Sequence, residues 1–131
     1  MRDLKTGATT LVSVNSAGTA SGNEWFSFFY FLAPVISADG RFVAFESLAS
    51  DLVDNDTNDA ADVFVRDLKT GTTTLVSVNS AGTASGRGGN SFVSDISADG
   101  RFVAFDSAAS DLVDNDTNGT IRDVFVRRVR R

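Results

Sequence analysis

The chain has 131 residues, a formal net charge of −5 and 42% hydrophobic residues, which excludes an extended disordered chain and a membrane-embedded one. It contains no cysteine and no histidine, so disulfides, the usual zinc and haem ligands and the commonest general base are excluded. The apolar run at residues 25–36 is shorter than the ~20 residues of a transmembrane helix. No signal-peptide pattern opens the sequence, so we expect neither a membrane span nor a leader.

An internal duplication dominates the sequence. Residues 3–22 return as residues 67–86 with one substitution, and residues 36–58 return as residues 96–118 with two. The motif DVFVR also occurs twice. A repeat of about 60 residues in a strand-rich pattern predicts a stacked or radial array of similar units. The near identity of the copies indicates recent amplification or an engineered fragment of a longer repeat protein.

Each repeat predicts four strands, which in the first copy lie at residues 34–37, 41–47, 62–68 and 72–79. The turns SADG and KTG, rich in the residues that tight turns require, connect the first strand to the second and the third to the fourth. The second strand carries apolar residues on both faces, so we expect it to be buried on both sides. In the fourth, Leu75 and Ser77 alternate with Val76 and Val78, which predicts a half-exposed outer strand.

The motif ISADGRFVAFES, followed by an Asp/Asn-rich loop and DVFVRDLKTG, resembles the PD40 or TolB-like repeat, a WD40-like blade of bacterial β-propellers. The resemblance covers nearly the whole chain, twice. It implies an all-β fold: a β-propeller of four-stranded antiparallel blades, with two blades per chain. It also implies a bacterial periplasmic or secreted location, but no particular activity. The insertion at residues 25–32 belongs to no blade pattern.

The order of the strands predicts self-association. Residues 1–22 supply a fourth strand, from Thr9 to Val14, with its loop; residues 34–79 supply a complete blade; and residues 95–129 supply strands one to three of another. Propellers need roughly four to eight blades, so two cannot close a ring. We therefore expect a cyclic homo-oligomer in which Thr9 to Val14 of one subunit pairs with Asp123 to Val129 of the next. The family resemblance favours six blades from a trimer; eight from four subunits and ten from five stay open.

The polar loop DLVDNDTN, present in both copies, suggests a calcium site. Alternate oxygen donors in a tight loop can converge on Ca²⁺, although the bidentate glutamate of the best-known calcium loop is missing. The alternative is that these are turn-forming, solvated side chains. Ca²⁺ is the one cofactor that the sequence suggests, and the candidate ligands are Asp54, Asp56, Asn58, Asp62, Asp114, Asp116, Asn118 and Asp123.

The insertion contains six aromatic residues in eight positions, EWFSFFYF at residues 24–31. One interpretation is a strand packed between blades or subunits, where large aromatic side chains would strengthen an interface. A second is a ligand platform on the same face as the Asp-rich loop, with Trp25, Phe28 and Tyr30 stacking on a glycan or a peptide. A third is adhesion between rings or to a membrane surface.

Two further functions are not expected. The basic run RRVRR at residues 127–131 belongs to an exposed strand edge in an acidic chain, so we expect no nucleic-acid partner. Triads that need histidine are impossible, and the repeated carboxylates lie in a hydrophilic loop with no sign of an apolar pocket that would raise one pKa. The sequence therefore predicts a non-enzymatic structural or binding scaffold. The alternative is a carbohydrate- or peptide-binding module, with calcium dependence.

Overall fold

The computed structural model describes residues 1–23 and 33–129, and the regular elements in these ranges are β-strands. Within them, no helix is long and apolar enough to cross a membrane. The first sheet contains β1 (Val35–Ile36), β2 (Phe42–Ser47), β3 (Asp62–Asp67) and β4 (Thr72–Leu75). The second contains β5 (Ser91–Ile96), β6 (Phe102–Ser107) and β7 (Asp123–Arg128). All pairings are antiparallel, and sheet order follows chain order.

In the first sheet, all six residues of β2 are buried, which confirms the prediction of a strand covered on both faces. The prediction for the fourth strand was wrong in two respects. β4 ends at Leu75, because the next two amides, of Val76 and Ser77, both donate to the Val63 carbonyl and break the regular ladder. Leu75 and the three residues after it are all buried, because Val76 packs in the core between the two sheets while Leu75 and Val78 pack on the opposite face of the first sheet.

The second sheet repeats the register of the first. Ser107 is opposite Asp123 in β6 and β7, as Ser47 is opposite Asp62 in β2 and β3. β5 begins at Ser91, four residues before the start that the sequence pattern indicates, and it contains a bulge just after Val93. The extra length brings the strand against the first sheet, where the Val93 amide donates to the Glu46 carboxylate at 3.1 Å.

The main apolar core lies between the two sheets. Its buried members include Ala44, Val63 and Val65 from the first sheet and Val93, Ile96, Val103 and Phe105 from the second. The sheets approach closely at one turn, since a Cβ added to Gly100 would lie 2.1 Å from the ring of Phe42. A second core covers the opposite face of the first sheet, where half-buried Val12 of the N-terminal segment packs beside Phe45, Phe64 and Leu75.

The N-terminal segment, predicted as a fourth strand from Thr9 to Val14, forms two isolated bridges, Arg2 to Thr9 and Val14 to Ser21. Both have counterparts 64 positions later, in the pairing of Arg66 with Thr73 in β3 and β4 and in the bridge between Val78 and Ser85. The first residues of the chain therefore lie where the repeat has the end of a third strand.

Candidate functional site

The Asp-rich loop of the first copy closes over the start of β3. At its centre, the Asp62 side chain is 1% exposed, and its Oδ1 accepts hydrogen bonds from Ser77 Oγ at 2.6 Å and from Asn58 Nδ2 at 3.2 Å. Ser77 Oγ in turn accepts from the Val63 amide at 3.1 Å. Asn58 Nδ2 also donates to the Gly86 carbonyl at 2.8 Å, so one amide joins the loop to the segment after β4.

Asp56 and Asp62 form a buried pair of carboxyl groups. The two groups lie within hydrogen-bonding reach, and one oxygen of each, Oδ2, is buried without a partner. Burial raises the pKa of Asp62 to about 8, and the charge on Asp56 acts in the same direction. Burial also raises the pKa of Asp56, with a smaller contribution from the Asp59 carboxylate. Because two adjacent buried carboxylates repel each other, the pair is most stable when it shares one proton.

The pair corrects the expectation that no carboxyl in these loops would have a raised pKa. The sequence suggested solvated side chains because the loop is rich in Asp and Asn, but burial depends on the neighbouring segment at Ser85 and Gly86. The Thr57 amide donates to Ser85 Oγ at 2.9 Å, and the Ser85 amide donates to the Asn55 carbonyl at 3.0 Å. Asp62 is 1% exposed, and its carboxyl group connects the Asp-rich loop to the segment after β4 through its hydrogen bonds with Asn58 and Ser77.

Three of the four predicted calcium ligands in the first copy come together, Asp56, Asn58 and Asp62. Asn58 directs its amide nitrogen to Asp62, while its oxygen accepts from the Ala60 amide at 3.1 Å. Asp54 is exposed and lines a shallow depression with Arg66. In residues 1–23 and 33–129, no group of three or more Asp, Glu, His or Cys residues is placed to hold a metal ion. Calcium binding stays a prediction.

The second copy of the loop is more open. Asn118 Nδ2 again donates to Asp123 Oδ1, at 3.1 Å, and Asp116 Oδ2 is again buried without a partner. Asp114 is exposed, and Asp123 is half-buried where Asp62 is fully buried. Arg122, which stands where the first copy has Ala61, forms an ion pair with Asp106.

The three predicted ligand-stacking residues, Trp25, Phe28 and Tyr30, lie outside the described residues, as do Arg130 and Arg131 of the basic run. The glycan or peptide platform therefore stays a prediction.

An exposed apolar surface lies on β7 and was not predicted from the sequence. Val63 and Val65 of β3 are 0% and 1% exposed, whereas their counterparts in β7, Val124 and Val126, are 79% and 67% exposed. Phe102 of β6 lies on the same surface and is also exposed. Within the described ranges, β7 pairs with β6 alone, while β3 pairs with strands on both sides. We call this area the β7 face. The identical DVFVR motifs carry no signal that their surroundings differ.

No family model matches the chain, and no curated protein matches it. One solved structure is similar, the crystal structure of TolB from Acinetobacter baumannii, with 21% sequence identity over 97% of this chain and 25% of that chain and a TM-score of 0.44. This chain therefore spans a quarter of the length of that protein.

Proposed function

We propose that this chain is a non-enzymatic structural or binding scaffold, formed from two consecutive blades of a β-propeller and completed by copies of itself. Its two sheets have the same strand order and the same register in their shared strands. They pack face to face through one apolar core, as neighbouring blades do.

The observation that carries the proposal is the β7 face. Val124 and Val126 are exposed, and in the described part of the chain β7 has a neighbouring strand on one edge alone. Soluble proteins normally cover such a surface, because exposed apolar side chains and open strand edges favour association with another chain. In the first repeat the same positions are covered by the second repeat. On this proposal, another copy of the chain supplies the repeat that covers the second repeat.

Such a contact is head to tail, so it is repeated by every copy until the ring closes. Two blades per chain require an even number of blades. We propose six blades from three chains as the preferred ring, with four or five chains as the other closed forms.

Sedimentation equilibrium from nanomolar to high micromolar concentration tests the proposal. Each chain has a mass of 13.9 kDa, so a trimer has about 42 kDa. We expect the mass to rise with concentration and then to stop at a single closed value, because a ring has no free surface left for growth. A constant mass of one chain across the whole range would refute self-completion, and a mass that rises without limit would refute a closed ring.

A further inference from the structure

A groove of about 450 Å³ opens between the N-terminal segment and the first sheet. Its apolar lining comes from two places, the segment around Leu11 and Val12 and the strands β1 and β2 with Val35, Ile36, Val43 and Phe45. Ile36 and Leu11 are exposed in the described structure, so the groove presents uncovered apolar surface. We call it the N-terminal groove.

The duplication shows what fills the equivalent place inside the chain. Val76, Ile96, Val103 and Phe105 are the repeat counterparts of four groove residues, Val12, Ile36, Val43 and Phe45. All four counterparts belong to the core between the sheets, and the side chains packed with them from the first sheet include Val63 and Val65 of β3. In the interior copy of this groove, the occupant is therefore the third strand of the preceding repeat.

Val124 and Val126 are the repeat counterparts of Val63 and Val65, and they are the exposed residues of the β7 face. We infer that the N-terminal groove of a first copy receives Val124 and Val126 of a second copy. This inference rests on the proposed self-association. The chain itself provides the template, because the counterparts of these residues, Val63 and Val65, already make the equivalent contact between its two sheets.

The same register brings further groups together. Phe102 of the second copy would lie over Gly40 of the first as Phe42 lies over Gly100, and a Cβ placed on Gly40 has no heavy atom within 4 Å. Ser13 of the first copy would donate to Asp123 of the second as Ser77 donates to Asp62. The contact thus combines an apolar centre with a hydrogen bond that fixes the register.

The first residues of the chain must move for this contact to form. The bridge from Arg2 to Thr9 matches the pairing of Arg66 with Thr73, which puts Met1 in the place that the repeat gives to Val65, and Met1 lines the groove. Val126 of a second copy would take this same place. Association therefore displaces Met1 and opens the bridge from Arg2 to Thr9.

Two variants separate the two sides of the contact. Val124→Glu removes the inserted side chain, and Ile36→Glu blocks the groove; both residues are exposed in the described structure, so each variant is expected to fold. A carboxylate that must enter an apolar site without a partner is strongly unfavourable. We expect each variant alone to associate at least about a hundredfold more weakly than wild type. Ala81→Glu, which alters an exposed loop residue outside both the groove lining and the β7 face, serves as the control and should assemble like wild type.

The decisive sample is the mixture of the two variants, measured by sedimentation with circular dichroism as a check of folding. Ile36→Glu retains its β7 face and Val124→Glu retains its groove, so the mixture should form a one-to-one dimer of two 13.9 kDa chains and nothing larger. If wild type assembles and Val124→Glu or Ile36→Glu assembles equally well alone, the groove assignment is wrong while self-association stands. If the wild-type chain stays monomeric, the proposed self-association is wrong, and a second copy cannot be the occupant of the groove.

Discussion

At the residue scale, Asp62 lies where three parts of the first repeat meet: the Asp-rich loop, β3 and the segment after β4. Its carboxyl group accepts from Ser77 and Asn58 and faces Asp56, and within the described residues no cation contacts the pair. A buried acid without a cation is tolerated when it is protonated. The proton on this pair is therefore part of what holds the Asp-rich loop in place.

We predict that the chain loses stability as pH rises from about 4 to about 8. The pKa of Asp62 is about 8 in the folded chain, above the ordinary value of 3.8, so the folded state binds the proton more tightly than the unfolded state. The stabilisation is complete below the ordinary value and disappears as pH approaches the folded-state value; each pH unit between them costs up to about 1.4 kcal/mol. Asp62→Asn keeps the shape without the charge and should flatten this slope.

Urea unfolding at a series of pH values, in dilute protein, measures the effect. Asp123→Asn, at the same position of the second repeat, is the matched control, because Asp123 is only half-buried. A slope that is the same in wild type and Asp62→Asn would show that the buried pair does not take up the proton.

At the element scale, β3 and β7 contain the same five residues, DVFVR, in different surroundings. β3 is covered on one face by the second sheet and paired on both edges, while β7 is paired on one edge in the described part of the chain. Ring stacking is retained in both, since Phe45 stacks on Phe64 at 5.8 Å and Phe105 on Phe125 at 5.6 Å. The repeated sequence thus specifies each sheet, and the neighbouring sheet decides what is buried.

We predict unequal effects of one substitution at matched positions. Val63→Ala removes a fully buried side chain and should lower the free energy of unfolding by about 2 kcal/mol. Val124→Ala alters an exposed side chain and should change it by less than about 0.5 kcal/mol in monomeric protein. Urea unfolding at low concentration compares the two. Equal losses would mean that the β7 face is already covered within one chain.

The strands could be predicted because their signals are local: SADG and KTG mark turns, and the apolar pattern of β2 marks a strand buried on both faces. What the sequence could not predict depends on contacts between segments far apart in the chain. The end of β4 follows from two amides converging on Val63, and the burial of Asp56 and Asp62 follows from the docking of Ser85 and Gly86. The exposure of Val124 could not be predicted, because its local sequence is identical to that of buried Val63.

At the scale of the whole molecule, the first sheet is related to the second by a rotation and a translation. Repeating this movement from copy to copy would generate a ring. Its rotation is determined by contacts such as Gly100 against Phe42 and Val93 against Glu46. If each further copy follows the same step, the rotation fixes the number of chains at closure. The blade count is thus a property of this packing, which explains why the sequence left six, eight and ten open.

A cysteine pair placed across the proposed junction tests self-completion most directly. Val65 is opposite Thr74 in β3 and β4, and the counterparts at the junction are Val126 of one copy and Thr10 of the next. Directly opposed residues of antiparallel strands lie within disulfide range, and the wild-type chain has no cysteine to interfere. Oxidised Thr10→Cys/Val126→Cys should give a covalent series that ends at a three-chain ring with no free thiol. A disulfide within a single chain, or thiols that stay free at high concentration, would contradict the account.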